Sequence, residues 1–329
     1  MSGKKILVIL YSEAKREYFK SFEQFKTEEE VFIRSKIVAS RLDKVGFKTI
    51  LLPGNLDSIL SLKKIKPVAV LNLVDSVEGR EDRIAFIPAL LDLAKVPYTG
   101  TGFLGLTINS DKFITKALLE RQGIPVPRFQ VFVDGDERLN KNLRFPLITK
   151  LNLSHGSLEI SQEAVVENEK QLRKRIKCLV KKYCQSVIVE EYIRGKEITV
   201  LVINDKKDKL VLAEERILFK KDKYPLYDYE AAWGEKEIYD VKPYKLISDL
   251  KKKIIKAFDI LYFNDYARFE IIIDKNNNAY FIDSNANPAF GPYGTTSGPF
   301  GYLLFLNKIP FEAVAKKIIL NAISRFHNR

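Results

Sequence analysis

Cysteine and histidine are scarce in this chain. Its 329 residues include only Cys178, Cys184, His155 and His327. Both cysteines fall on one predicted helix at a spacing that turns them to different faces, which excludes a disulfide framework and a zinc site. Long apolar runs are also missing. No stretch approaches the ~20 residues of a membrane span. Residues 6–10, after Met1-Ser2-Gly3-Lys4-Lys5, make too short an apolar block for a secretory leader. A cytoplasmic protein without a membrane partner is expected. The first predicted strand-to-helix turn carries no G-x-G-x-x-G, which removes a dinucleotide site of that kind.

What is present is an ordinary globular composition, 46% hydrophobic and 29% charged, in a chain long enough for two or three domains. The net charge of +13 raises the question of nucleic acid. The lysines, however, are scattered over predicted helix faces and turns, such as Lys251-Lys252-Lys253 and Lys316-Lys317, with no nucleic-acid motif around them. Solvated surface accounts for them, and an anionic small substrate also fits.

Hydrophobic patterning alternates strand and helix in the first third. Strands are predicted over residues 6–10, 48–52 and 68–74. A helix opens at Thr27 with Glu28, Glu29 and Glu30, shows one face as Val31, Val38, Leu42 and Val45, and ends at Gly46. Another covers residues 84–93. This order implies an open parallel α/β sheet. A further helix is capped by Asn109-Ser110-Asp111, begins at Lys112 and stops near Gly123. Residues 145–150 read as a strand ending in Lys150, followed by the polar turn 152–157 and a strand over 158–161. Such a turn beside a strand-borne lysine suits a phosphate cover.

Residues 187–193 and 194–200 read as paired strands carrying Glu190 and Glu197. Glu190 can accept from an exocyclic amine beside a main chain that pairs with a purine edge, and Glu197 can accept from ribose hydroxyls. Salt bridging to Arg194 or Lys196 is the structural alternative. Two β-rich runs, residues 269–273 and 279–282, flank the turn Asp274-Lys275-Asn276-Asn277-Asn278. Strand alternation puts Arg268 with Glu270, and Asp283 with Asn285. Two carboxylates and a carboxamide near an arginine suit Mg2+ carrying phosphate oxygens.

Taken in order, Lys112, Lys150, Glu190, Glu197, Arg268, Glu270, Asp283 and Asn285 resemble the ATP-grasp superfamily, and within it the D-alanine–D-alanine ligases, over residues 68–288. The pieces that carry the resemblance are Tyr98-Thr99-Gly100, Asp111-Lys112 with Thr115-Lys116, and Gly123-Ile124-Pro125-Val126-Pro127. With them go Glu190-Glu191-Tyr192-Ile193, Gly195-Lys196-Glu197-Ile198-Thr199-Val200 and Tyr227-Asp228-Tyr229-Glu230-Ala231.

The resemblance implies an α/β (α+β) fold, an N-terminal parallel α/β domain plus two α+β subdomains clamping ATP. The expected boundaries are 1–104, 105–186 and 187–329. It implies an ATP-dependent carboxylate–amine ligase working through an acyl phosphate, with a non-catalytic ATP-binding protein as the alternative. ATP would be bound by Lys112, Lys150, Gly156, Ser157, Glu190, Glu191, Tyr192, Ile193 and Glu197. Two Mg2+ ions, a role open to Mn2+, would be held by Glu270, Asp283 and Asn285. Arg268 would stabilise the tetrahedral oxyanion with a backbone N–H near Ala289. Amino-acid or other carboxylate and amine substrates are the expected partners, in a homodimer, with no nucleic acid.

Departures from the family pattern gather at the substrate end. A glycine pair and Ser-x-Glu after the first strand are replaced by Tyr11-Ser12-Glu13-Ala14-Lys15-Arg16-Glu17, leaving Glu13 or Glu17 to hold the first substrate's ammonium. Lys-Tyr after Tyr-Glu-Ala becomes Ala232-Trp233, and the metal carboxylates are exchanged in length as Glu270 and Asp283. Past the metal Asn stand Pro288-Ala289-Phe290-Gly291 and Gly294-Thr295. Tyr227, Trp233, Ala289 and the apolar Phe290, Pro292 and Tyr293 are thus expected to shape the substrate pocket. D-alanine specificity does not follow from the resemblance.

Overall fold

A computed structural model describes residues 4–19, 22–154, 157–205, 208–219, 222–227, 239–294 and 298–328. Strand β1 (Lys5–Tyr11) is apolar from Ile6 to Leu10 because both of its faces are covered there. Leu7 and Ile9 face a core shared with helix α1 (Phe22–Asp43), while Val8 and Leu10 face one shared with α2 (Leu56–Ile65) and α3 (Phe86–Leu93). Strands β2 (Phe47–Pro53) and β3 (Ala69–Leu73) flank β1 in parallel, in the order β2-β1-β3. The parallel sheet expected from the alternation is therefore present. Helix α1 begins five residues before Thr27. Phe19 packs on Phe25 at 6.1 Å between ring centres, an apolar contact that carries the helix further back than the Thr-Glu-Glu-Glu pattern suggested. Gly46, at φ +103°, turns the chain from α1 into β2, and Val45 lies beyond the helix but still packs on its core.

Helices α4 (Phe103–Asn109) and α5 (Lys112–Arg121) follow, the second capped by Asp111 Oδ1 accepting from Ile114 N at 3.0 Å. A four-stranded antiparallel sheet comes next, ordered β4-β7-β5-β6: β4 (Phe129–Phe132), β5 (Leu147–Leu151), β6 (Val165–Val166) and β7 (Val187–Glu191). Helix α6 (Glu169–Tyr183) covers one of its faces. Residues 158–161 are not a strand. Ser157 and Glu159 adopt left-handed backbone (φ +58° and +62°), and the Glu159 carboxylate, held near pKa 2 against its partial burial by Lys182, Tyr183 and Arg175, pins this turn to α6. Cys178 and Cys184 are free and exposed, Cys184 at the left-handed cap beyond α6.

The third sheet is antiparallel, ordered β10-β9-β8-β11-β12: β8 (Gly195–Asn204), β9 (Lys209–Leu218), β10 (Tyr239–Pro243), β11 (Tyr266–Asp274) and β12 (Ala279–Asn285). Its two faces differ. One is apolar along its length, with Ile198, Val200, Ala267, Phe269 and Ile271 under helix α7 (Ser248–Ile260). The other begins apolar at Ile203, Leu201, Leu212 and Tyr266, against α8 (Gly298–Leu306) and α9 (Phe311–His327), and turns polar further along the same strands. Among the described residues no helix is long and apolar enough to cross a membrane.

Two structural breaks fall away from the expected boundaries. Strand β7 lies wholly within the four-stranded sheet, past residue 186. Leu106, Leu119 and Ile124 join the core of the five-stranded sheet rather than that of the four-stranded one.

Candidate active site

The polar stretch of the five-stranded sheet faces the four-stranded sheet across a cleft. Lys150 and Glu190 line it from one sheet, Glu197, Glu270 and Asp283 from the other, and Lys112 from the head of α5.

At the inner end Glu190, 1% exposed, is held between Lys150 Nζ at 3.0 Å and Lys116 Nζ at 3.2 Å. Burial opposes its ionisation, and the two ammoniums outweigh that and keep its pKa below the ordinary value. Burial likewise opposes charge on Lys150, where Glu190 and Asp283 prevail and the pKa is raised. On Lys116 burial wins, and its pKa falls to about 8. Lys116 was not among the expected site residues. Its signal was there, a lysine four positions after Lys112 and so on the same helix face, but a lysine at that spacing usually reads as solvated.

Nearby, Glu191 N and Tyr192 N are taken up by Arg128 O (2.9 Å) and Pro146 O (3.0 Å). The Glu191 carboxylate turns away to Arg144 N at 3.0 Å. Glu191 thus has only its carbonyl to offer a base, and the purine-edge role moves toward Ile193, which lines the cleft. Tyr192 packs edge-on to Tyr224 at 5.1 Å, with its hydroxyl on Pro225 O at 2.8 Å. Ser157 Oγ donates to Tyr227 O at 3.3 Å, and Lys112 Nζ to Ser154 O at 2.5 Å. Gly156, Trp233 and Ala232 lie outside the described residues.

At the outer end the pairing Arg268↔Asn285 and Glu270↔Asp283 brings all four side chains onto one face. A bulge after Glu270 is what permits this, since Ile271 pairs with Phe281 and Ile282 is left over. The freed Ile282 carbonyl accepts from Lys116 at 3.0 Å and from Lys150 at 3.4 Å. Glu270 Oε1 lies 3.2 Å from Arg268 and 3.6 Å from Arg216. Arg216, a buried residue of β9 that the sequence reading overlooked, also holds Glu197 at 2.8 Å and lies 3.9 Å above the Tyr227 ring. Asn285 Oδ1 accepts from Asn287 N at 2.8 Å.

Among the described residues no group of three or more His, Cys, Asp or Glu is arranged to hold a metal. The donors here are two carboxylates and a carboxamide, all hard oxygens. That set fits Mg2+ arriving with phosphate, because one or two protein carboxylates suffice when phosphate and water complete the octahedron.

A second polar cluster lies at the carboxyl ends of β1 and β3, where the order β2-β1-β3 reverses and α/β sheets take ligands. Ser12 Oγ accepts from Asp75 N (2.8 Å) and Ser76 N (3.1 Å). Asp75 accepts from Arg34 at 3.0 Å and from Asn287 Nδ2 at 3.1 Å, which ties this crevice to the strand bearing Asn285. Glu28 enters from α1 with a buried Oε2 that has no hydrogen-bond partner, and burial, then Asp75, pushes its pKa up to about 8. Glu13 instead pairs with Lys15 at 3.4 Å, and Glu17 is exposed. Phe290, expected in the substrate pocket, is 1% exposed among Tyr266, Phe300 and Phe311 and belongs to the core. Ala289 before it is half-buried, and Tyr293 lies on the surface against Phe305.

Fold and site together define an ATP-grasp enzyme, an ATP-dependent ligase that joins a carboxylate to an amine. The D-ala D-ala ligase C-terminus family matches residues 118–298, more than half of the chain, and the chain belongs to that family. Among relatives, an uncharacterised protein of Sinorhizobium fredii is 28% identical over 276 residues, covering 78% of each chain. The D-alanine–D-alanine ligase of Aquifex aeolicus is 27% identical over 266 residues, covering 80% of this chain and 87% of its own. A crystal structure of the D-alanine–D-alanine ligase from Bacillus anthracis complexed with ATP superposes with a TM-score of 0.73 at 18% identity, covering 98% of this chain and 99% of that one.

Proposed function

We propose that the cleft binds ATP with its adenine near Glu190 and its phosphates toward Glu270 and Asp283, for ligation of an amino acid to a second amine. One observation carries the reading. A buried acid flanked by two lysines and a hard-oxygen donor set line one cleft, joined through the Ile282 carbonyl that both lysines reach, an arrangement that suits a nucleotide carrying Mg2+ on its phosphates.

In this reading Glu190, ionised by its two lysines, accepts from the adenine amine, while Ile193 supplies the main-chain donor and Glu197 takes ribose. Lys112 and Lys150 hold phosphate oxygens under the turn at Ser157. Two Mg2+ ions on Glu270, Asp283 and Asn285 would neutralise the phosphates when bound. Alignment is then most of what phosphoryl transfer to the first carboxylate needs. Arg268 faces the oxyanion formed when the amine attacks the acyl phosphate.

Glu28, rather than Glu13 or Glu17, is proposed to accept the first substrate's ammonium. Its partnerless oxygen at the switch-point crevice supports this choice. Whether either substrate is D-alanine, as the names of the relatives suggest, is settled by screening phosphate release from ATP across amino acids of both configurations, singly and in pairs. Amine-dependent phosphate release is expected. ATP binding without turnover on any pair would favour a non-catalytic nucleotide-binding protein.

A further inference from the structure

On the active face of the five-stranded sheet, one row of residues crosses four strands. Asp283 pairs with Glu270, Glu270 with Thr199, and Thr199 with Glu214. Glu214 therefore lies two strands beyond Glu270, about 10 Å away at the backbone, toward β10 and the end of the Tyr227 segment. Three buried polar atoms around this row have no hydrogen-bond partner: Thr199 Oγ1, Glu214 Oε2 and Arg268 Nε. Buried polar groups are nearly always paired, so three orphans on one patch point to a polar ligand.

The charges indicate which kind of ligand. Glu190, Glu197 and Glu270 each have a cation within 3.2 Å. Glu214, 2% exposed, has no such ion pair among the described residues. Burial raises its pKa to about 7 against the more distant pull of Arg216 and Arg268. Burial first, and then the charge of Glu214, raises the pKa of Tyr302 on α8. A carboxyl buried without a counter-ion among the described residues, on the face that also carries the arginine proposed to face the oxyanion, matches a primary ammonium.

We propose that Glu214 receives the ammonium of the attacking amine and takes one proton from it, so that the free amine attacks the acyl carbon as phosphate leaves; it thereby selects an amine as the second substrate and sets its position before attack. This rests on the ligase reading above. Thr199 Oγ1 is a second acceptor within the same row, so the ammonium finds two oxygens on neighbouring strands.

The test compares wild type with Glu214→Gln and Glu214→Asp, using the best carboxylate–amine pair from the amino-acid screen. Two quantities are read. One is exchange of isotope between the β,γ-bridge and β-nonbridge oxygens of ATP with the carboxylate alone, which reports the first step. The other is KM for the amine. Glu214→Gln should raise the amine KM at least ten-fold while leaving isotope exchange and the KM for ATP within two-fold. Glu214→Asp, which keeps the charge, should fall in between, and both variants should melt no lower than wild type. An unchanged amine KM overturns the proposal. So does an equal rise in the ATP KM, which would assign Glu214 to the phosphate end. Absence of carboxylate-dependent exchange in the wild type removes the ligase reading itself, and this inference with it.

Discussion

Glu190 is nearly fully buried between Lys116 and Lys150, so removing its carboxylate does two things at once. It takes away the acceptor proposed for adenine, and it leaves two buried ammoniums uncompensated. Breaking a buried pair from one side costs about 3–5 kcal/mol. Glu190→Ala should therefore lower the melting temperature markedly as well as weaken ATP, with ATP losing more than GTP because phosphate contacts survive. Equal losses of ATP and GTP affinity would assign Glu190 to structure alone. Glu28 allows a pH test. Its folded pKa of about 8 lies above the ordinary 4.5, so between these values the native state keeps a proton that the unfolded chain gives up. Stability from this group is thus fully present below pH ~4.5 and lost progressively up to pH ~8, by at most about 1.4 kcal/mol per pH unit. Glu28→Gln should remove that slope, gaining stability over wild type at pH 8 and little at pH 4.5 by urea unfolding. The same variant should raise KM for the first amino acid. A gain at pH 8 with no change in KM would leave Glu28 as a buried structural acid.

At the scale of elements, the bulge between β11 and β12 decides which groups meet. Without it a one-residue slip would carry Asp283 to the α7 side of the sheet. With it Asp283 stands opposite Glu270, and the Ile282 carbonyl serves two lysines. Asp283→Asn should reduce Mg2+-dependent turnover by more than 100-fold, because it removes a hard anionic donor of a set with only two carboxylates. Far-ultraviolet circular dichroism should be unchanged, and retained activity would take Asp283 out of the metal site. Strand alternation made the hairpin and its facing acids legible, since Arg268, Glu270, Asp283 and Asn285 are spaced by two. The bulge was invisible, because nothing in Tyr280-Phe281-Ile282-Asp283 marks which residue drops out of the ladder. Glu28, Lys116, Arg216 and Glu214 escaped for a related reason. Each is a charged residue in an ordinary helix or strand, and only the tertiary surroundings, Asp75, Glu190, Glu197 or the unpartnered Thr199 hydroxyl, tell a site residue from a solvated one. The parallel sheet and the cap at Asp111 were readable because period and capping are local. The helix start at Phe22 was not, since it depends on Phe19 meeting Phe25.

Across the whole molecule the cleft is bounded by elements from both antiparallel sheets and by α5, so nucleotide binding must tie these parts together. Asn109 already fastens the end of α4 to β12, donating to Ser284 O at 3.0 Å and accepting from Ala286 N at 2.8 Å. Among the described residues the four-stranded sheet has no comparable latch to β11, and Lys150 reaches across to the Ile282 carbonyl. A bound triphosphate would add contacts from Lys112 and Lys150 on one side and, through Mg2+, from Glu270 and Asp283 on the other. A ligand that binds only the folded state stabilises it by about 2.7 kcal/mol at a hundred times its Kd. ATP with Mg2+ should therefore raise the melting temperature by several degrees, and ATP with EDTA by clearly less, because Glu270 and Asp283 would then face phosphate unshielded. Lys150→Met should abolish most of the shift, measured from a lower unliganded melting temperature, since Glu190 then keeps only Lys116 while a methionine fills the volume of the lysine stem. Equal shifts with and without Mg2+ would mean that the triphosphate is held by the lysines alone and that the acidic end of the cleft serves something else.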